Sequence, residues 1–300
     1  MMFPSFSAWP LPMCPKITSA QKNDRAPSRL RDFPLCFVIT IEPDVGQRVQ
    51  SALRQLSPLG IALRLVDGVR PDDIGGESLY NKDLNFRYMK RPLGRGEVSV
   101  YSSHRRALEM FLKTDSKFAI ILEDDFGLLR PTHFVDEVLR ILDAPLEWDL
   151  IKLFDYRGSK KPKKPIAEVD LGPISIVEYS TPRAGMVGYI VRRSGAQKLI
   201  SRPHLFRPID EDLKYYWELD LWSFSVFPSL IAEISDRLGG SYIELERRRL
   251  RDDRSIRRSI RGNKIKLARL LRHFMHRRRY SLKEAMRAHQ LKQVPVNSFE

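Results

Sequence analysis

The 300-residue sequence contains two cysteines, Cys14 and Cys36. Two thiols make neither a disulfide framework nor a four-ligand structural zinc site. Cys36 lies in an apolar strand-like run, where a buried free thiol is expected, and a reducing compartment is the simplest inference. No apolar run approaches the ~20 residues that cross a bilayer. Met1 to Pro15 is apolar but broken by prolines and lacks a positively charged start, so no signal peptide is expected. No internal repeat is present. What remains is ordinary for a globular protein, with 42% apolar and 30% charged residues, and long enough to bury a sizeable core.

The charge is uneven. Between Arg247 and Arg279 stand 15 Lys and Arg against two acids, Asp252 and Asp253. That window holds 13 of the net +15, which leaves a nearly neutral remainder. Three segments are expected: a Pro- and Ser-rich disordered leader over 1–32, a folded domain over 33–245, and a basic helical tail over 246–300.

Within the domain, Leu35–Ile41 reads as a buried strand, Val45–Leu56 as a helix and Ile61–Val66 as a second strand. A loop is expected up to Gly94, with Gly94 and Gly96 a weak hint of backbone approach to phosphate. Glu97–Lys113 is helix-periodic, with Glu97, Tyr101, His104, Leu108 and Phe111 on one stripe. Phe118–Leu122 is an apolar strand running into Glu123-Asp124-Asp125. Phe134–Leu142 reads as a helix, Leu150–Phe154 and Met186–Val191 as strands, Lys160–Pro165 as a basic surface loop, and Ser194 as the cap of a helix over Gly195–Ile200. Strands alternating with helices predict an α/β fold with a mainly parallel central sheet.

Three constellations carry candidate chemistry. Alternation along an extended chain would put Glu123 and Asp125 on one face and Asp124 on the other. Paired carboxylates at the carboxyl end of a strand suit a hard cation, Mn²⁺ or Mg²⁺; the alternative is a solvated acidic turn. Glu97 and His104 are polar groups on an inward helix face, either donor-pocket residues or a capping glutamate and a satisfied core histidine. Asp210 and Asp212, before Tyr215-Tyr216-Trp217, offer a general base and acceptor contacts, or a helix N-cap. Gly185 and Gly188 at a strand entry, and Gly195 in the next helix, read more simply as close packing.

Val66-Asp67-Gly68, Gly96-Glu97 with Ser103-His104, Ile121-Leu122-Glu123-Asp124-Asp125, and Gly188-Tyr189 followed by Ser194–Leu199 and Pro208-Ile209-Asp210 together resemble glycosyltransferase family 25, the lipopolysaccharide and lipooligosaccharide glycosyltransferases. The resemblance runs from about Phe37 to about Asp236. Ser99-Val100, where the family has Gly-Cys, and Thr40, where it has Asn, depart from the pattern. The resemblance implies a GT-A-like nucleotide-sugar-binding fold and transfer of a hexose, often galactose, from a UDP-sugar to a saccharide or lipid-linked acceptor. It implies Glu123 and Asp125 as metal ligands, Asp125 and Asp210 as catalytic acids, Glu97, His104, Glu123, Asp124 and Gly188 around the donor, and Asp212 and Trp217 toward the acceptor. The competing classes are an α/β binding protein with a nucleic-acid-binding tail, and another metal-dependent phosphoryl-transfer enzyme or hydrolase.

In the tail, Lys264–Arg279 is helix-periodic, with Leu267, Leu270, Leu271 and Phe274 on one side and Lys266, Arg269, Arg272, His276 and Arg277 on the other. Such a helix lies on an anionic membrane, packs its apolar side on the domain, or binds nucleic acid, which is the least expected of the three. A cytoplasmic enzyme peripheral at the inner membrane is the corresponding expectation. Ser281-Leu-Lys-Glu284 reads as a capping box opening a further helix.

Overall fold

Leu35–Thr40 (β1) and Phe118–Glu123 (β3) are near-continuous apolar runs because both faces of each strand are covered. Cys36, Val38, Ile120 and Leu122 enter one core cluster, and Phe37, Ile39, Ala119 and Ile121 enter the other. The computed structural model describes residues 33–74, 79–155, 164–241 and 256–293, and all of these fall within one unit, Phe33–Glu300. The expected leader and Cys14, and most of the Lys160–Pro165 loop, lie outside the described residues.

Around these strands stand α1 (Gln47–Leu56), β2 (Leu63–Asp67), α2 (Lys82–Tyr88), α3 (Arg95–Leu112), β4 (Phe126–Leu128), α4 (Phe134–Leu142) and β5 (Leu150–Lys152). A hairpin follows, β6 (Ala167–Asp170) and β7 (Ser175–Glu178), and then β8 (Gly188–Arg192), α5 (Arg193–Ile200), α6 (Ile209–Asp212), β9 (Ser223–Phe227) and β10 (Ile231–Glu233). The last two helices are α7 (Ile256–His276) and α8 (Leu282–Gln293).

Eight strands form one sheet in the order β2-β1-β3-β8-β5-β9-β7-β6, and β10 pairs with β4 in a separate two-stranded ribbon. β1 is parallel to β2 and β3, and β5 to β9, whereas β8 runs antiparallel to both its neighbours and β7 to both of its own. The sheet is therefore mixed, with β7 and β8 reversed against a common direction. Helices cover both faces. α1, α4 and α8 bury Ala52, Leu56, Val138, Ile141, Leu282 and Ala285 in one cluster, while α3 and α5 bury Leu108, Phe111, Ala196 and Leu199 in the other.

The expected α3 stripe is the buried face: Glu97, Tyr101, His104, Leu108 and Phe111 are all at most 4% exposed. Cys36 is a buried free thiol whose pKa burial pushes far up. Gly195 is explained by contact, since a Cβ there would come 2.3 Å from the Asp149 carbonyl oxygen. Ser194 does not cap α5; Arg192 holds that position, and Ser194 Oγ donates to Asp149 at 2.7 Å. The segment before Gly94 contains α2, which Asn81 caps by accepting from Leu84 N–H. α8 opens where the capping box predicts, with Glu284 N–H directed at Ser281 Oγ.

Candidate active site

β1 and β3 are parallel neighbours, with Ile39 opposite Glu123. Their carboxyl ends therefore open side by side, in the place where α/β sheets hold ligands. β3 ends at Glu123, and Asp124 and Asp125 form a turn into β4. The expected alternation of faces thus stops one residue early. All three acids line one open cleft with Thr40, Arg48, Ser99, Ser103, His104 and Ser241.

The acids differ in their partners. Arg48, on the inward face of α1 and 3% exposed, places Nη1 2.8 Å from Asp124 Oδ1 and 3.5 Å from Asp125 Oδ2. It also donates to the Gly240 carbonyl. His104 is fully buried, with Nε2 3.1 Å from Glu123 Oε1 and Nδ1 3.2 Å from the Tyr189 hydroxyl, whose ring stacks on it. A carboxylate only accepts, so Nε2 carries a proton toward Glu123. Asp125 is left short: its Oδ1 is buried with no hydrogen-bond partner among the described residues. Burial first, and then the charge of Glu123, push its pKa up to about 8 against the pull of Arg48. Burial also raises that of Asp124, although Arg48 opposes it.

One guanidinium thus faces a surplus of negative charge. Among the described residues no group of three or more His, Cys, Asp or Glu side chains forms a self-sufficient metal cage. A cation held through one or two carboxylates, with substrate phosphates completing its shell, needs no such cage. The orphaned Oδ1 of Asp125 beside Glu123 fits that kind of sharing.

Five other predicted site residues stand elsewhere. Glu97 is clamped by Arg91 through two bonds of 2.6 and 2.7 Å and accepts from Gly94 N–H at 3.1 Å. It is a cap of α3 and does not line the cleft. Gly188 faces packing, not a donor: a Cβ would lie 2.4 Å from Ile231 Cδ1 and 2.6 Å from Leu122 Cδ2. Asp212 is 1% exposed and is held by Tyr101 Oη at 2.7 Å, Arg202 Nε at 3.0 Å and Arg207 Nη1 at 3.1 Å. It is a strut of the core with no surface to offer an acceptor. Trp217 packs edge-on against Tyr216 and stacks on His276 of α7, so its face is already covered. Asp210, in the first turn of α6, is half-buried and outside the cleft lining. Its charge acts on both Lys152 and Arg91.

Sequence reasoning missed Arg48, although it stands on the stripe of Ala52 and Leu56, where an arginine must find buried acids. It also missed the pair Lys152–Asp155 at the end of β5, where Lys152 Nζ donates to Asp155 Oδ1 at 2.6 Å and to the carbonyls of Arg183 and Ala184 at 3.0 Å. A lone lysine in an apolar run is the only sequence signal for that pair.

Comparison with known proteins places this geometry. The model of glycosyltransferase family 25 (LPS biosynthesis protein) matches residues 34–212, which include every cleft residue except Ser241. Procollagen galactosyltransferase 2 of Homo sapiens is 28% identical over 228 residues, covering 66% of this chain and 35% of the relative. Procollagen galactosyltransferase 1-A of Xenopus laevis is 27% identical over 240 residues, covering 69% and 37% respectively. A glycosyltransferase 25 family member of Anopheles gambiae is 26% identical over 194 residues, covering 59% and 30%. The chain spans about a third of the length of these curated relatives. With a match running through more than half of its residues, from β1 to α6, the chain belongs to the glycosyltransferases of family 25.

Proposed function

We propose that the chain transfers a hexose, galactose first among the candidates, from a UDP-sugar to a saccharide or lipid-linked saccharide such as those of lipopolysaccharide, on a GT-A-type fold. The single observation that carries this is Asp125: a buried carboxylate with one orphaned oxygen, beside Glu123, at the shared carboxyl end of β1 and β3. Galactose is favoured because the relatives bear that sugar in their names.

Asp125 and Glu123 would hold a Mn²⁺ or Mg²⁺ ion, which when bound neutralises charge on the diphosphate leaving group. The remaining roles belong to the chain itself. Arg48 holds Asp124 in place through an ion pair of 2.8 Å. His104, locked by Tyr189, fixes the rotamer of Glu123. Ser99 and Ser103 give the cleft wall hydroxyl groups.

The test is turnover of UDP-galactose, as transfer or slow hydrolysis, with and without Mn²⁺, in the natural chain and in Asp125→Asn. Metal-stimulated turnover that disappears in the variant is expected. Equal turnover in both proteins would remove the assignment.

A further inference from the structure

An amphipathic helix on a soluble domain ordinarily turns its apolar stripe inward. α7 does the reverse. Its inward line is polar: Arg258 and Arg261 donate to the Lys90 carbonyl at 3.0 and 2.9 Å. His273 lies 3.0 Å from the Tyr216 hydroxyl and 2.7 Å from the Ser180 carbonyl. His276 stacks on Trp217, and Arg277 faces Glu178. The opposite line is Ile260, Leu267, Leu271, Phe274 and Met275, each more than half exposed, with Phe274 at 78%. At 100° per residue these five fall within about a third of a turn of one another. On the same wheel Lys264 falls within the strip and Arg272 borders it, and Ile256–His276 contains no Asp or Glu.

We propose that the outer face of α7 is a docking surface for an anionic phospholipid bilayer, on which the helix lies parallel to the membrane plane. This goes beyond the catalytic assignment and does not rest on it. Both halves of the pattern match one occupant: the apolar strip enters the acyl boundary, and the flanking Lys and Arg meet lipid phosphates. A second copy of the chain would match the strip only, because a twofold contact brings the same acid-free basic borders together. Nucleic acid would match the borders and leave Phe274 and Met275 in water. The inward polar contacts hold the helix in this orientation, so the strip is presented without the domain opening.

The experiment is co-sedimentation of the full chain with vesicles of phosphatidylcholine alone and of phosphatidylcholine with phosphatidylglycerol, at low and high salt. The comparison protein is the double variant Leu271→Gln/Phe274→Gln, with gel filtration of both proteins in parallel. The expected result is pelleting only with the phosphatidylglycerol vesicles, weakened by salt, and roughly tenfold weaker binding in the double variant. Circular dichroism and donor turnover in solution should be the same for both proteins. No pelleting with anionic vesicles at low salt, or binding equal in the two proteins, overturns the proposal. So does a dimer of the natural chain that the double variant abolishes, since the strip is then a self-contact. Donor turnover is read on the same samples without vesicles, so failure of the catalytic assignment leaves the vesicle result standing.

Discussion

Asp125 and Asp212 are both buried carboxylates at the mouth of a secondary-structure element, and they have opposite surroundings. Asp212 has a tyrosine hydroxyl and two guanidinium groups within 3.1 Å. Arg207 and Arg202 reach on to Glu218, so acids and bases there close into a network. Asp125 shares one arginine with Asp124, faces the charge of Glu123 and Glu233, and keeps an oxygen without a partner among the described residues. A folded chain compensates its buried charges. Where it does so from within, as at Asp212, the group is structural. Where negative charge is left over in a cleft, the missing counter-charge is expected from a ligand. Both aspartates stand in acidic clusters along the sequence, and only the surroundings tell them apart.

The largest expected effect is on catalysis. Asp125→Asn should reduce UDP-sugar turnover by roughly 10²-fold or more while the thermal midpoint stays level or rises, because like-charge repulsion is relieved. A large drop in the midpoint would place Asp125 with the struts. Asp212→Ala should do the opposite, costing about 3–5 kcal/mol in denaturant unfolding because Arg202 and Arg207 lose a buried partner. Turnover per folded molecule should stay near that of the natural chain.

Gly188→Ala tests the packing account of that glycine. The added methyl meets Ile231 and Leu122 and should cost about 1–3 kcal/mol, with the KM for donor unchanged. A raised donor KM at full stability would return Gly188 to the donor site.

The smallest effect concerns the helix clamp. Burial lowers the pKa of His273, and the neighbouring Arg277 and Arg269 add to this. A histidine whose folded pKa lies below its unfolded value binds fewer protons when folded. Its stabilising contribution is thus complete above the unfolded pKa, near 6.5, and fades as the pH falls below it. Amide exchange in α7 should therefore quicken relative to the sheet as the pH drops from about 7 toward 5. His273→Gln should flatten that dependence; equal pH sensitivity in the variant would show that His273 is not the clamp.

Much of the scaffold was legible along the chain. β1 and β3 announced themselves as apolar runs because they are buried on both faces. The α3 stripe was correct residue by residue because a helix with a fixed inward face writes a 3.6 period. β6, β7, β9 and β10 were missed because they are short, three to five residues each, and take their stability from cross-strand neighbours distant in sequence. α2 lies where the sequence reads as loop for a similar reason: its seven residues carry little period, and its cap, Asn81, acts through one side-chain bond.

Of the candidate site, the sequence by itself determined the acids after β3, the inward histidine and the excess of positive charge near the carboxyl end, because these follow from order and period alone. The tertiary structure decided which of them act together. It brought Arg48 under Asp124 and Asp125, left Asp125 short of one partner, and sealed Asp212 and Glu97 among arginines. It also turned the apolar side of α7 outward. The physical reason is that a buried charge is judged by what surrounds it in space, and those neighbours come from strands and helices that the linear order keeps far apart.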